Sequence, residues 1–279
     1  GAKQIIYLDP DIQLYDSLNT AFHALETHNI ALTPHLLFPL DDGAYPDEND
    51  LRAAGIYNLG FIGVSGTDET WRFLRWWAHR TYSGCVIDPA LGLFVDQRWI
   101  DAVPALFEGV WLIRDRSYNV AYWNLPNRME VALPMLMHFS GFEADNIEHV
   151  SRHQSRLRLD DLSPGFRRRF VEYRAVLLKS GYREMNEISY SYATLDDGTT
   201  ITPTMRAFLR YIDPHGHRFH NPFRTDGKDT FRAAMAAPIG GGPLNALMAF
   251  YREQYPEIRG QFSDDAAYAA WFREHVVDL

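Results

Sequence analysis

Asp9 and Asp11 stand two residues apart at the end of a short apolar run, Ile5, Ile6, Tyr7 and Leu8, with Pro10 between them. Residues two apart in a strand project to the same face, so the two carboxylates can be aimed at one point. Pro10 lacks an N–H and suits a strand end. Two convergent carboxylates make a hard, oxygen-rich site for Mg²⁺ or Mn²⁺, whose shell is completed by water and phosphate oxygens. The competing reading is a turn in which one aspartate caps a helix beginning near Tyr15.

A second group follows in Met135-Leu-Met-His-Phe-Ser-Gly141. His138 at a strand end is a candidate metal ligand, and its nitrogen moves the preference from Mg²⁺ toward Mn²⁺. Ser140 is small, and Gly141 lets backbone N–H groups come close to an anion. Alternatively His138 is a satisfied core histidine beside a turn. In Gly92-Leu-Phe-Val-Asp-Gln-Arg-Trp99, Asp96 and Gln97 have the chemistry to orient sugar hydroxyls, or Asp96 simply caps a helix carrying Trp99 and Ile100. Asn58 and Gly60 interrupt a good strand, which marks close approach of a ligand to the backbone or a bulge. The run Arg167, Arg168 and Arg169 has the charge to attract an anionic acceptor, although consecutive positions spread around a helix and charge runs are usually solvated.

The elements that must position these residues alternate along the first half of the chain. Ile5–Leu8, Asn29–Thr33, Tyr57–Val64, Val110–Ile113 and Met135–Phe139 read as strands. Thr67 reads as the N-cap of a helix with Asp68 and Glu69 in its first turn, and Trp71, Leu74 and Trp77 or Ala78 as its buried stripe. Strands alternating with helices predict an α/β layer architecture. Pro164 to Gly181 reads as one helix, Asp196-Asp197-Gly198 as a hairpin turn, and Phe231 onward as two or three helices joined at Gly240–Pro243. The expected division is residues 1–160 for the portion bearing the aspartates and 161–279 for an α-rich extension.

The 279 residues are 46% hydrophobic, 23% charged and 14% aromatic, with a net charge of −9. This acidity argues against a general nucleic-acid binder. The single Cys85 excludes an intrachain disulfide and suits a reducing, cytoplasmic compartment, with attachment to the periphery of a membrane as the alternative. No apolar run reaches the ~18 residues of a membrane span.

Taken in order, these motifs resemble the nucleotide-sugar glycosyltransferases of the GT-A fold, and within them the glycogenin-like family eight enzymes and related bacterial glycosyltransferases. Tyr7-Leu-Asp-Pro-Asp11 matches their Asp-X-Asp signature. Tyr57-Asn-Leu-Gly-Phe61 is similar to their Phe-Asn-Ser-Gly strand, Phe94-Val-Asp-Gln97 to their Asp-Gln segment, and His138-Phe-Ser-Gly141 to their His-Phe-X-Gly motif. Arg98 departs from the usual second aspartate, and the lysine-proline-tryptophan that follows the histidine motif is absent. Leu32-Thr-Pro-His35 and Tyr118-Asn-Val-Ala-Tyr-Trp-Asn124 resemble the bacterial group more closely.

The resemblance implies a mixed, GT-A-like sheet flanked by helices. It also implies a metal (Mn²⁺, or Mg²⁺) on Asp9, Asp11 and His138, and a donor phosphate cradle at Ser140, Gly141 and Arg152. Asp96, Gln97 and Asn58 take the catalytic positions. The implied reaction moves a sugar from a nucleotide-diphosphate donor to a glycan or lipid-linked acceptor, with retained anomeric configuration. In that family the Asp-X-Asp follows an earlier α/β portion that holds the nucleoside. Here it stands at residue 9, so the expectation is a sheet lacking its first strands, with exposed edges that suit pairing in a homodimer. The reading from another class is a catalytically silent carbohydrate-binding or scaffold fragment, with Trp76, Trp77, Trp99, Trp111 and Trp123 as sugar platforms.

Overall fold

The computed structural model describes residues 3–277, which divide into two compact units, the first ending at Glu187 and the second beginning at Ile188. Both are built on local signals that the sequence carries.

In the first unit β1 (Gln4–Leu8) runs into the Asp-Pro-Asp turn and then β2 (Ile12–Leu14), followed by α1 (Asn19–Ala24) and β3 (Ile30–Pro34). Next come α2 (Glu48–Ala54), capped by Asp47 in a capping box with Asp50, and β4 (Tyr57–Ser65). Strand β4 is buried along nearly its whole length, as expected of an apolar run at the centre of a sheet. The four-stranded sheet has the order β1-β4-β3-β7, where β7 is Val110–Leu112. Its β1–β4 and β3–β4 pairs are antiparallel and its β3–β7 pair is parallel. A register shift in the β3–β4 ladder falls opposite Leu59 to Phe61, so the interruption at Gly60 is a bulge. Strands β1 and β7 are the edges of this sheet.

The helix after β4 is α3 (Asp68–Gly84). Thr67 Oγ1 accepts from the Thr70 N–H at 3.2 Å, with Asp68 and Glu69 in the first turn. Its buried residues are Thr70, Phe73 and Gly84, and Phe73 stacks on Trp77 at 5.6 Å. Trp71, expected inside, is 55% exposed. Leu74 and Trp77 pack on the core as expected, and Thr70 and Phe73, not Trp71, complete the stripe. Two short strands, β5 (Val86–Asp88) and β6 (Leu93–Val95), form a hairpin that leads to Asp96, and α4 (Val103–Leu106) precedes β7. Strand β8 (Leu136–His138) pairs antiparallel with β2, opposing Ile12 to His138.

Helix α5 (Pro164–Lys179) belongs to this first unit, with the short α6 (Tyr182–Asn186) after it. Phe166, Phe170 and Tyr173 of α5 pack on Phe139 and Phe142, and the Phe139 and Tyr173 rings stack at 3.9 Å. That aromatic core carries the division to Glu187, beyond the expected boundary at residue 160.

The second unit holds a bridge between Thr194 and Thr200 around Asp196-Asp197-Gly198, then α7 (Pro203–Ile212), α8 (Phe231–Ala236), α9 (Ala246–Gln254) and α10 (Asp265–His275). Thr202, Thr230, Asn245 and Asp264 cap these four helices. Met205, Phe208, Phe231, Met235, Leu247 and Phe272 form its core, and the Tyr268 hydroxyl donates to the Met248 carbonyl at 2.6 Å. No helix among the described residues is long and apolar enough to cross a membrane.

Candidate metal centre

Strand pairing brings the start of the chain and strand β8, far apart in sequence, together. Phe139 N–H donates to the Asp11 carbonyl at 2.9 Å, which ties the aspartate turn to the end of β8. His138 Nε2 then lies 3.1 Å from Asp11 Oδ1 and 3.6 Å from Asp9 Oδ2. One ligand atom from each of the three residues lies within 4.8 Å of the others, and among the described residues this is the one such group of three or more. The imidazole is buried, while both carboxylates are partly open to solvent.

The other face of the imidazole fixes its chemistry. His138 Nδ1 is 3.2 Å from both Asn58 Oδ1 and Asn119 Oδ1. Amide oxygens only accept, so Nδ1 carries the proton. Nε2 therefore points at two carboxylates with either a second proton or a lone pair on a cation. A histidine oriented through its distal N–H is the usual preparation of a metal ligand. Burial pushes the Asp11 carboxyl up, but the hydrogen bond and charge of His138 more than reverse this and leave it below the ordinary carboxylate range.

The amides behind His138 form a closed network. Asn58 Oδ1 also accepts from Gly60 N–H (3.0 Å) and Asn119 Nδ2 (2.9 Å). Asn58 Nδ2 donates to Gln97 Oε1 (3.1 Å) and toward His35 Nε2 (3.4 Å). Gln97 Oε1 accepts from Leu59 N–H at 3.0 Å and its Nε2 donates to the Ala54 carbonyl at 2.9 Å. Asn58 and Gln97 are both buried with every polar atom engaged. They were expected to touch substrate; in this structure Asn58 holds His138, and Gln97 holds Asn58 and strand β4. His35, fully enclosed, is held near pKa 4 by burial and stays neutral, its Nδ1–H donating to the Gly55 carbonyl at 2.7 Å.

Gly60 is required by this packing. A Cβ there would lie 2.4 Å from His138 Cε1 and Nδ1 and 2.8 Å from Asn58 Oδ1. The group that approaches the backbone is thus the metal-ligand candidate, not an external ligand. Trp123 closes the remaining side, its ring 5.3 Å from that of His138 and edge-on to it.

Asp96 lies outside the group of three but near enough to feel its charge. Its carboxyl is pushed up first by burial and then by the charge of Asp9. Val95, directly before it, is a β-branched residue at φ 44°, a strained conformation of the kind stored at functional sites. Tyr7 adds a partner the sequence did not flag: its hydroxyl donates to Asp9 Oδ1 at 2.8 Å. That bond, with burial, raises the phenol to about 12. It leaves Asp9 Oδ2 facing His138.

Ser140 and Gly141 are the central residues of a turn closed by Phe142 N–H to the Phe139 carbonyl at 3.0 Å, with Gly141 at φ 66° as the turn demands. On the side where a Cβ would point, the space beside Gly141 is filled by His153 and Ser151. Arg152 N–H donates to the Gly141 carbonyl at 3.0 Å, and the Arg152 guanidinium, largely exposed, leans toward Glu143 at 3.6 Å. Of the tryptophans considered as sugar platforms, Trp123 is buried and Trp76, Trp77, Trp99 and Trp111 are half-buried in aromatic packing.

Asn119 and His35 went unassigned in the sequence. Asn119 sits at φ 51°, a left-handed position that asparagine tolerates better than most residues, and it is completely buried. Its signal was an asparagine inside an otherwise apolar segment, Tyr118 to Trp123.

The chain is similar to two Bacillus subtilis (strain 168) proteins. It is 25% identical over 170 residues to the uncharacterized protein YfnF, covering 57% of this chain and 56% of that protein. It is 26% identical over 153 residues to the uncharacterized protein YfnD, covering 50% and 47%. The chain spans about half the length of these curated relatives. No family model and no solved structure matches it.

Proposed function

We propose that the first unit is the metal-bearing part of a glycosyltransferase that moves a sugar from a nucleotide-diphosphate donor to a glycan or lipid-linked acceptor. The observation that carries this reading is the meeting of Asp9, Asp11 and His138 Nε2, with His138 Nδ1 locked by two amide oxygens. The donor set fits the group it is asked to hold. Two carboxylates and one imidazole suit Mn²⁺ or Mg²⁺, and three protein ligands leave positions for phosphate oxygens. The bound cation would neutralise charge growing on the departing diphosphate.

The protein's own residues divide the remaining work. Tyr7 fixes which Asp9 oxygen is presented. Asn58, Asn119 and Gly60 hold the His138 ring in one tautomer and one position. Asp96, half-buried and within reach of the charge of Asp9, would orient the sugar or the acceptor hydroxyl, and Arg152 would supply local positive charge in an acidic protein. The GT-A-like fold and retention of configuration rest on the motif resemblance. The exposed Ile5 and Tyr7 on edge strand β1 support pairing with a second copy as part of the same reading.

A panel of nucleoside diphosphates and their sugar conjugates, titrated with Mn²⁺ and then with EDTA, tests this. At least one should bind about tenfold or more tighter with Mn²⁺ and lose that gain in Asp11→Ala. Metal-independent binding, or an Asp11→Ala protein that keeps the gain, would overturn the reading.

A further inference from the structure

The three consecutive arginines of α5 have different fates. Arg167 pairs with Asp160 and donates to its carbonyl, and Arg168 lies 3.4 Å from Glu172 one turn on. Arg169 turns inward. It is 7% exposed, no carboxylate lies within ion-pair distance of it among the described residues, and its buried Nε has no acceptor. Its contacts are a long bond to the Gly165 carbonyl (3.4 Å) and the ring of Tyr15, 4.8 Å beneath the guanidinium. A guanidinium does not deprotonate to escape burial, so an enclosed one without a counter-charge is strongly disfavoured.

Arg169 lines a cavity of about 190 Å³. Ser163, Gly165 and Phe166, at the N-terminus of the same helix, line it too, with Met129 and Val131 as an apolar wall. The N-cap Ser163 makes no side-chain cap bond, Pro164 has no N–H, and the Arg167 N–H is taken by the Ser163 carbonyl at 2.9 Å, which leaves the Gly165 and Phe166 N–H groups to meet an anion at the positive end of a 16-residue helix. The cavity thus joins a buried, uncompensated cation to an uncapped helix end.

We propose that this cavity binds a compact oxyanion, phosphoryl or carboxylate, whose oxygens meet the Arg169 guanidinium and the N–H groups of Gly165 and Phe166. The carbon skeleton of the ligand rests on Met129 and Val131. The site shares no residue with the Asp9, Asp11 and His138 group, and it does not depend on the transferase reading.

The test is calorimetric titration of inorganic phosphate, acetate and chloride into the whole chain in Mn²⁺-free buffer of constant ionic strength. Phosphate or acetate should bind at one site about tenfold or more tighter than chloride, the gain of one charge-assisted bond. Preference for phosphate identifies a phosphoryl ligand and preference for acetate a carboxylate, and either supports the site. Arg169→Met should abolish binding, while Asp11→Ala should leave it unchanged. Should Arg169→Met fail to fold, Arg169→Lys and the exposed rim substitution Ala132→Phe take its place, and each should weaken binding. The proposal is overturned if neither anion outbinds chloride on the wild type, if binding survives these substitutions at α5 and the rim, or if Asp11→Ala loses it equally.

Discussion

Replacing Gly60 by alanine tests the packing that sets the His138 imidazole in place. The added methyl carbon would stand 2.4 Å from two ring atoms of His138 and 2.8 Å from Asn58 Oδ1. Ordinary contact begins near 3.4 Å, so about 1 Å of movement is required. The ring has nowhere to go: Trp123 stands edge-on at 5.3 Å, and two amide oxygens hold Nδ1 at 3.2 Å. Gly60 does not need a left-handed backbone, so the effect is steric alone. Overpacking of this kind destabilises by about 1–3 kcal/mol. A displaced ligand should also weaken Mn²⁺ binding about 10- to 100-fold, the range for lost support of a metal-ligating histidine. Urea unfolding and Mn²⁺ calorimetry on Gly60→Ala read the two effects separately. A variant as stable as wild type that binds Mn²⁺ equally well would refute the reasoning. Gly165→Ala, where an added Cβ meets nothing within 4 Å, is the control.

Asn119→Ala removes an acceptor from His138 Nδ1 and donors to Thr33 and Asn58 at a left-handed position. It should be less stable than Asn119→Gly by about 1 kcal/mol in urea, because glycine adopts that conformation freely, and both should bind Mn²⁺ more weakly than wild type. Equal stability of the two variants would contradict this. His35 titrates near 4 in the folded protein and near 6.5 when unfolded. The unfolded chain therefore binds the extra proton in that window, and stability falls as pH drops from about 6.5 toward 4. Between pH 7.5 and 5 this one group removes about 2 kcal/mol, and His35→Gln should show a correspondingly shallower loss in pH-dependent urea unfolding. Identical pH slopes would show that His35 is not the responsible group.

Much of the fold was legible because its elements carry local signals. Thr67 with Asp68 and Glu69 announces α3, the apolar run from Tyr57 announces β4, and Pro164 begins α5. Reading Trp71 as buried failed because positions 70 and 71 both fall at helical spacing from Leu74, and only the partners on β3 and β4 decide which of them turns inward. The boundary expected near residue 160 was displaced because aromatic packing of α5 on Phe139 and Phe142 is a long-range contact. In the site, type and spacing made Asp9, Asp11 and His138 candidates with structural roles still open, and only the motif resemblance joined them, whereas the roles of Asn58 and Gln97 were not legible. Their residue type suits a substrate contact equally well, and their commitment to internal partners exists only once β4, β6 and β8 meet. Tyr7 and Asn119 were silent for the same reason, and Arg169 was hidden among two solvated neighbours of identical charge.

The central claim is that Asp9, Asp11 and His138 bind one divalent cation together. Titration of Mn²⁺ followed by electron paramagnetic resonance counts bound ions directly in the wild type, Asp11→Ala and His138→Ala. The account predicts one ion per wild-type chain, nitrogen coupling in its spectrum that vanishes in His138→Ala, and affinity weakened about tenfold or more in both variants. Equal binding by all three proteins, or a bound ion with no nitrogen neighbour, would contradict it.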